Sequence, residues 1–442
     1  RWRNALWSIS CLSICPKIIG KFTKYFPNTE INFYLCTIYN LTLLKMKRLG
    51  ERIAYWSNCA TKILGNIISY LLRLTLSIKP GRVMCWAYNF KQYGCNPRYL
   101  SEYLLEHHPD MEIYWVFRRG VDVSAVDPRI KVVKFRSWQY YKLLATAEFL
   151  ATNVRTDPFK IYWHKRPEQK YMMLWHAGVA LKRIERDAED KLGYSYLQRA
   201  KHDSKVCDLM ISGSAMHTEL IHRAFWYDGE VLECGIPRND LFFHEESVNV
   251  SRRRIAKHYG ISEDDKIVLY APTFRNSGTI EPYRIDWSRV MPELCKMLGA
   301  ERVSVIVRMH PNLIGKVDTS SLVSYEGVYD GTMYHDMQEM LAASDLLITD
   351  YSSSMFDFSM QGKPCLLYAT DVAQYDRGYY FNFRELPYPL AENEEELLSV
   401  IERFDKALYE KNLNDFLINR VGVKECGNAS ERLAQWMRKH SI

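Results

Sequence analysis

Residues 345–358 have the sequence DLLITDYSSSMFDF, and this stretch decides the fold. The apolar run 346–349 is typical of a short buried strand, and it ends at Asp350. Serines occupy 352–354, and apolar residues at 355, 356 and 358 then follow a helical pattern. A buried strand that leads through a short loop into a helix is the repeating unit of a helix-covered parallel sheet. The stretch therefore predicts an α/β fold.

The same alternation of strand and helix extends from this stretch along the chain. One series begins near residue 80, with strand-like runs at 82–88, 112–117, 131–135, 148–153, 171–175 and 208–212. A second series begins near residue 266 and contains KIVLYAPTF (266–274), VSVIVRMHP (303–311) and KPCLLYA (363–369). A chain of 442 residues exceeds one ordinary core. We predict two Rossmann-like, doubly wound domains, over 80–245 and 246–442, the second ending in a terminal helix.

Composition excludes several classes of protein. Hydrophobic residues make up 47% and charged residues 25% of the chain, as in an ordinary globular protein. The 11 cysteines are scattered without a CxxC unit, which favours reduced, packed thiols over a disulfide framework or a zinc site. The net charge of +7 fits an anionic partner or a slightly unbalanced surface, and no basic run typical of nucleic-acid binding is present. We predict no cofactor, no metal and no nucleic-acid partner.

The region before residue 80 is predicted to be an extension with one amphipathic helix. Residues 1–45 show no clear periodicity, and Met46 begins a stretch typical of a natural start, so we expect 1–45 to be an upstream addition. Between 62 and 78, polar residues recur every three or four positions, with Ile67, Ile68, Leu71 and Leu72 opposite them. The run is too short and too polar to span a membrane. Its apolar side either lies in a membrane interface or packs on the protein's own core.

Three strand ends carry residues suited to phosphate chemistry. The serines at 352–354 begin a helix, where hydroxyls either cap the helix or bind phosphate, and we favour phosphate. Arg308 and His310 leave the end of VSVIV together, and they either contact a diphosphate or only solvate the strand end. His176 follows YMMLW (171–175), where an imidazole can deprotonate a hydroxyl or can simply be packed.

Other residues near these strand ends are weaker candidates. Lys182 follows His176 and could hold an anionic acceptor. Arg238 in GIPRND (235–240) is a possible anion contact in a segment that turn chemistry largely explains. Arg377 in DVAQYDRGYYFNF (371–383) would suit a phosphate, although packing by the neighbouring aromatic residues explains that loop equally well.

The order of these motifs resembles the CDP-glycerol glycerophosphotransferase family, which holds teichoic acid primases and polymerases and capsule-synthesis relatives. The motifs are LWHAG, GIPRND, YAPTFR, RMHP, DLLITDYSSSMFD, KPCLLYA and RGYYF, and the resemblance covers about residues 80–425. It implies a GT-B fold, with residues 80–245 as the acceptor domain and 246–442 as the CDP-donor domain. It further implies that His176 is the catalytic base and that His310 assists at the donor phosphates. Donor contacts would come from Arg308, Asp350, Ser352, Ser353 and Arg377, and acceptor contacts from Lys182 and Arg238.

The implied reaction moves a polyol phosphate from a CDP-activated donor to a hydroxyl of a lipid-linked or polymeric acceptor, with release of CMP. The implied location is peripheral, on the cytoplasmic face of a bacterial cell membrane. Two other functions stay open at this point. One is a GT-B glycosyltransferase that uses a sugar nucleotide, and the other is a non-catalytic scaffold of a capsule assembly complex.

Overall fold

The computed structural model describes residues 49–53, 56, 63–156, 164–275, 280–310, 320–372 and 378–442. The chain divides into two compact units, one of residues 1–61 with 193–196 and one of residues 62–192 with 197–442. The second unit holds both predicted series of strands.

The first series of strands forms a parallel sheet of seven strands in the described residues. Their order is β3-β2-β1-β4-β5-β6-β7, with every neighbouring pair parallel. The strands are β1 (Lys79–Trp86), β2 (Glu112–Phe117), β3 (Lys131–Lys134), β4 (Ala147–Thr152), β5 (Lys170–Met173), β6 (Leu209–Ile211) and β7 (Glu230–Leu232).

The second series forms a parallel sheet of six strands, again within the described residues. Its order is β10-β9-β8-β11-β12-β13. The strands are β8 (Lys266–Ala271), β9 (Val303–Val307), β10 (Val328–Asp330), β11 (Leu346–Thr349), β12 (Cys365–Tyr368) and β13 (Leu390–Ala391). The strand order reverses at β1/β4 in the first sheet and at β8/β11 in the second, and such reversals open ligand crevices at the carboxyl ends of the strands. The predicted α/β fold with two Rossmann-like sheets is confirmed.

Helices cover these sheets. Among the described residues they are α1 (Ile63–Thr75), α2 (Cys95–His107), α3 (Trp138–Thr146), α4 (Tyr194–Val206), α5 (Ala215–Ala224), α6 (Glu245–Tyr259), α7 (Trp287–Leu298), α8 (Met337–Ala343), α9 (Ser354–Ser359), α10 (Glu394–Glu402), α11 (Lys406–Asp415) and α12 (Ala429–Lys439). None of the helices in this part of the chain combines the length and the apolar character needed to span a bilayer.

Strand β1 shows why the first sheet needs helices on both faces. Successive side chains of a strand point to opposite faces. Val83 and Cys85 accordingly pack in one hydrophobic cluster with residues of α2, whereas Met84 and Trp86 pack in another with residues of α3. Both faces are apolar, so both must be covered.

Helix α12 returns to the first sheet. Leu433 and Met437 belong to the same hydrophobic cluster as Val83, and α12 packs against α2. The terminal helix was predicted as part of the second domain, but its apolar side chains pack in the hydrophobic cluster of the first sheet. The domain boundaries at residues 79 and 245 stay predictions.

Helix α1 has a different inward face from the one predicted. Ser69 and Leu72 are buried, at 4% and 8% exposure, and α1 packs against α3. Ile67, Tyr70, Leu71 and Leu74 are 48–64% exposed. Leu72 was expected on the apolar stripe with Ile67 and Leu71, yet it packs inward. The exposed stripe of α1 is therefore Ile67, Tyr70, Leu71 and Leu74, at the spacing of one helix face.

Candidate active site at the carboxyl ends of the two sheets

The chain turns sharply just before His176. Trp175 has a φ of +45°, a left-handed conformation that costs energy for a bulky residue and that clusters at functional sites. The side chain of Asn96, in the first turn of α2, holds this turn. Its Nδ2 donates to the carbonyl oxygens of Leu174 at 2.7 Å and Trp175 at 3.0 Å. The backbone that carries His176 is thus held from the neighbouring helix.

The imidazole of His176 is oriented by a backbone carbonyl. Its Nδ1 lies 3.0 Å from the oxygen of Asn153, which follows β4. A carbonyl oxygen only accepts, so Nδ1 carries the proton and Nε2 of the neutral ring carries the lone pair. Burial and then the charge of Arg238 lower the pKa of His176 to about 4, against the hydrogen bond to Asn153, which raises it. The ring is therefore a neutral base at neutral pH.

The loop after His176 contacts residues 378–380, which follow β12 of the second sheet. Lys182 and Tyr379 form an antiparallel bridge, with Arg183 N donating to Gly378 O at 3.0 Å and Tyr380 N donating to Leu181 O at 3.0 Å. The positive charge of Lys182 is one of the causes that lower the pKa of His310. Lys182 is therefore near enough to His310 for its charge to act on the imidazole.

Arg308 and His310 follow β9. Arg308 Nη1 donates to the carbonyl oxygens of Gly331 at 3.0 Å and Tyr334 at 2.9 Å, which orients the guanidinium. His310 is exposed, and its ring lies 5.9 Å from that of Phe274. Partial burial, followed by the charges of Arg308 and Lys182, lowers the pKa of His310. The charges of Arg308 and Lys182 therefore disfavour protonation of the imidazole at this strand end.

The serines after β11 are half-buried, and they differ in their bonding. Ser352 Oγ accepts from Ser354 N at 3.3 Å and from Ser354 Oγ at 2.9 Å, so these two side chains form the turn. Ser353 occupies the residue before α9 but makes no side-chain capping bond there. Capping therefore does not explain Ser353, and its hydroxyl remains suited to a ligand.

Asp350 does not have the exposure expected of a donor contact. The carboxylate is buried, and it accepts from the backbone nitrogens of Thr273 at 2.7 Å and Tyr351 at 2.6 Å. Arg275 forms an ion pair with it and also binds Asp371. With its oxygens so engaged, Asp350 ties the loop after β8 to the loop after β11 across the crevice. Its role as a donor contact stays a prediction.

Arg238 lies in a buried ion pair. It is buried, its Nη2 donates to Asp357 on α9 at 2.6 Å, and its Nη1 donates to Cys95 Sγ at 3.2 Å. Its backbone nitrogen donates to Asn96 Oδ1 at 3.2 Å. Arg238 thus links the two halves of the second unit and tunes His176 by its charge. Its guanidinium is therefore engaged within the protein, and its role as an acceptor contact stays a prediction.

Two remaining predictions concern Arg377 and metals. Arg377 lies outside the described residues. The part of the chain that the structure describes contains no group of three or more His, Cys, Asp or Glu side chains placed to hold a metal ion. Lys182 and Arg308 are two of the positive groups that follow strand ends in the described residues.

The sequence as a whole matches one family model. That model, described as CDP-Glycerol:Poly(glycerophosphate) glycerophosphotransferase, matches residues 68–439. The chain belongs to this glycerophosphotransferase family. The resemblance stated from the motifs is confirmed.

Individual proteins with similar sequences agree with the match to this family. The chain is 31% identical over 415 residues to the teichoic acid poly(glycerol phosphate) polymerase of Bacillus subtilis (strain 168), covering 89% of this chain and 54% of that one. It is 29% identical over 397 residues to the teichoic acid glycerol-phosphate transferase of Staphylococcus aureus (strain NCTC 8325), covering 86% and 99%. A solved structure of a variant of the wall teichoic acid polymerase TagF with CDPG has a TM-score of 0.71 and 26% identity, covering 89% and 98%. This chain spans about half the length of the first polymerase.

Three residues that hold the site through hydrogen bonds were not predicted from the sequence. Asn96, Asn153 and Arg275 act through hydrogen bonds to residues that are distant in sequence. Arg275 is the last residue of the YAPTFR motif, and this motif could have indicated it as a residue of the site. Asn96 and Asn153 carry none, because an asparagine near a strand end or helix start is ordinarily explained by turn or cap chemistry.

Proposed function

We propose that this glycerophosphotransferase transfers glycerol phosphate, or a related polyol phosphate, from a CDP-activated donor to an acceptor hydroxyl and releases CMP. The observation that carries the proposal is His176, a neutral imidazole whose Nδ1 is bound by Asn153 O and whose Nε2 can take a proton. Family membership supports the class of reaction, and the TagF structure with CDPG supports glycerol as the polyol.

The chemistry is a displacement at phosphorus. The acceptor hydroxyl loses its proton to His176 Nε2, and its oxygen forms a bond to the β-phosphorus of the donor. The bond from that phosphorus to the bridging oxygen breaks, and CMP leaves with the electron pair. Such transfers depend on positioning and on positive charge around the phosphoryl group. Arg308, Lys182, Ser353 and the uncharged His310 are the groups that we propose for this role.

The acceptor that we propose is a teichoic acid chain, either lipid-linked or polymeric. Relatives named as teichoic acid polymerases and transferases support this choice. The acceptor's phosphates are anionic, and the loop after His176 offers half-buried Lys182 and exposed Arg183. A cationic loop directly after the base would hold a polyanionic chain with its terminal hydroxyl near Nε2.

The reaction is tested by supplying the purified protein with a panel of donors. CDP-glycerol, CDP-ribitol and UDP-N-acetylglucosamine would each be incubated with a soluble acceptor that ends in glycerol phosphate. We expect CMP from CDP-glycerol and a mass increase of one glycerol phosphate unit in the acceptor. Release of UDP without CMP would establish the glycosyltransferase alternative. Release of neither nucleotide would support the scaffold alternative.

We further propose that the protein attaches to the cytoplasmic face of the cell membrane through the exposed stripe of α1. The stripe places three aliphatic residues and Tyr70 in water, which is unfavourable for a monomeric soluble protein. Inserting Ile67, Leu71 and Leu74 into lipid would stabilise attachment by roughly 1 kcal/mol each, since each is about half exposed. This attachment would place the active site near a lipid-linked acceptor.

Basic residues border the stripe. Arg73 lines a cavity of about 370 Å³ with Arg166 and Tyr70 at the carboxyl end of α1. Burial, followed by the charge of Arg73, lowers the pKa of Arg166, so the two guanidiniums are close and partly repel each other. An anionic lipid headgroup would relieve that repulsion, and each cation near such a surface contributes about 1 kcal/mol.

A further inference from the structure

The loop after β1 has a strained backbone. Tyr88, Asn89 and Phe90 are all in the left-handed conformation, with φ of +46°, +59° and +67°. Three such residues in succession cost energy, and backbone strain of this kind clusters at functional sites. The ring of Phe90 is buried and stacks on that of Phe135, which follows β3, with 4.4 Å between the ring centroids. The next residue, Lys91, is exposed. The strained turn thus joins the loops after β1 and β3 and leaves a cation at the surface.

Two arginines lie against the ring of Phe135. The guanidinium carbon of Arg118, the residue after β2, is 5.9 Å from the ring centroid, and that of Arg136 is 5.2 Å from it. Arg118 N donates to Phe90 O at 2.8 Å, so all three loops meet around this ring. Arg136 is itself left-handed, with a φ of +63°. Two positive charges are therefore held on one aromatic ring, where they repel each other.

Carboxylates do not neutralise these cations. In the part of the chain that the structure describes, Lys91, Arg118 and Arg119 form no ion pair with a carboxylate, and the buried Nε of Arg118 has no hydrogen-bond partner. An exposed acid of the loop after β2, Asp122, accepts instead from Ser124 N at 2.9 Å. Arg119 and Arg136 are exposed, as Lys91 is. The cations of the three loops form what we call the basic edge, which consists of Lys91, Arg118, Arg119 and Arg136.

The basic edge lies on the same side of the first sheet as His176. The strands are parallel, so their carboxyl ends meet at one edge, and His176 follows β5. In the order β3-β2-β1-β4-β5, the end of β2 is three strands from that of β5, or roughly 14 Å at the usual strand spacing. A linear polymer whose terminal hydroxyl is at His176 can therefore extend along the carboxyl ends of the strands to the basic edge.

The opposite direction along the sheet is less suited to a polyanion. Beyond β5, the chain that returns to α12 lies along the loop after β6, where Val423 and Ser214 form an antiparallel bridge and Lys424 N donates to Gly213 O at 2.9 Å. Glu233 follows β7, and its carboxylate pairs with Lys424. This side is thus occupied by the protein's own chain and carries an acid, whereas the basic edge carries cations.

We propose that the basic edge is a subsite for the acceptor, which binds phosphodiester groups of the polymer several units behind the hydroxyl at His176. The inference rests on the proposed function and adds to it the direction in which the acceptor lies. A linear polyanion with one negative charge in each unit matches a row of cations on three neighbouring loops, and its phosphates would relieve the repulsion between the two arginines on Phe135. An acceptor too short to reach the basic edge should gain nothing from it.

The test uses a variant confined to exposed side chains, so that the fold is kept. This triple variant combines Lys91→Gln, Arg119→Gln and Arg136→Gln. Arg129→Gln is the matched control, since Arg129 is an exposed arginine of the same half that precedes β3 and pairs with two carboxylates. Release of CMP from CDP-glycerol would be measured with two soluble acceptors, a poly(glycerol phosphate) chain and a molecule with a single glycerol phosphate unit.

The expected result is a difference between the two acceptors. The triple variant should raise the KM for the polymer about tenfold, because three surface ion contacts of modest strength are lost together. Its kcat, its KM for CDP-glycerol and its KM for the single-unit acceptor should equal those of the wild type, and Arg129→Gln should match the wild type throughout. An unchanged KM for the polymer would overturn the inference, as would an equal rise in KM for both acceptors.

Binding of the polymer without donor gives a readout that does not depend on turnover. In titration calorimetry with poly(glycerol phosphate), the Kd of the triple variant should be about tenfold higher than that of the wild type and should depend less on salt. A wild type that binds the polymer in this way but releases no CMP would refute the proposed function and leave the subsite in place.

Sedimentation with phosphatidylglycerol vesicles distinguishes the polymer from a membrane surface. The triple variant should sediment with these vesicles as the wild type does, because the proposed ligand is the acceptor polymer. A triple variant that no longer sediments but binds the polymer with wild-type affinity would show that the basic edge contacts lipid headgroups, and this result would overturn the inference.

Discussion

The Nδ1 atom of His176 lies 3.0 Å from the backbone oxygen of Asn153, and this contact determines which ring nitrogen is free to act. The two residues follow β5 and β4, which are adjacent strands of the first sheet. Because the carbonyl can only accept, the proton is held on Nδ1 and the base is Nε2. The first two predictions depend on this relationship.

Replacement of His176 by Ala should reduce turnover about 100-fold or more, because general base catalysis contributes about that much. CMP release at saturating CDP-glycerol and acceptor would be compared with that of His222→Ala, an exposed histidine on α5. The control should retain full activity, and both proteins should keep the wild-type Tm. A folded His176→Ala protein with a near-normal rate would show that another group takes the proton.

The pH dependence of kcat/KM should be unusual for a histidine base. Because burial lowers the pKa of His176 to about 4, the base is already neutral at pH 5. We expect kcat/KM to stay level from pH 7 down to about 5 and to fall about tenfold per unit below pH 4. An acid limb near pH 6.5 would mean that the ring is solvated in the working enzyme.

Replacement of Ser353 by Ala should weaken binding of the CDP donor. A hydrogen bond to a charged phosphate contributes about 1.5 kcal/mol or more, so Kd should rise about tenfold. Titration calorimetry with CDP-glycerol would measure it, with Ser324→Ala, an exposed serine of the same half, as the control. Equal affinity of both variants would remove Ser353 from the donor site.

The buried pair Arg238–Asp357 should behave as a unit. Removing one partner leaves a buried charge uncompensated, and this costs about 3–5 kcal/mol. Arg238→Met and Asp357→Leu should therefore each lower the free energy of unfolding by that amount, and the double variant should recover a large part of the loss. Urea unfolding of all four proteins would show the coupling. Strictly additive losses would indicate that the pair contributes no mutual stabilisation.

Attachment through the exposed stripe of α1 should be lost when Ile67 and Leu71 are both replaced by Asp. Both side chains are about half exposed, so the fold should tolerate the change. Sedimentation with anionic vesicles should fall to background, while CMP release with a soluble acceptor persists. Leu72→Asp is the matched control, since it is 8% exposed and should instead destabilise the protein. Unchanged sedimentation of the double variant would exclude the stripe as the attachment site.

The sequence alone was sufficient for the fold class and for the strand ends that carry the chemistry. Runs such as LLIT (346–349) and VSVIV (303–307) are mostly apolar, and the structure buries all of their residues in interior strands of a parallel sheet. Periodicity of this kind is local, so it can be recognised without knowing the neighbours. The order of the motifs led to the correct family for the same reason.

The ion pairs between residues that are distant in sequence could not be predicted from the sequence. Arg238 looked like a free cation in a turn, but Asp357 neutralises it from the other half of the molecule. Asp350 looked like a ligand contact, but Arg275 engages it. An isolated charged residue has the same sequence signature in both situations, because its environment is set by chain segments far away.

The same limit applies to the faces of helices. Periodicity predicted that α1 is amphipathic, yet only its contact with α3 decided that Leu72 points inward and Leu74 outward. The sequence by itself therefore determined the two α/β sheets, the catalytic candidate His176 and the family. The tertiary structure decided the tautomer of His176 and the ion pairs that engage Arg238 and Asp350. Each of these depends on a hydrogen bond or ion pair between residues far apart in the chain, and only folding brings such groups within about 3 Å.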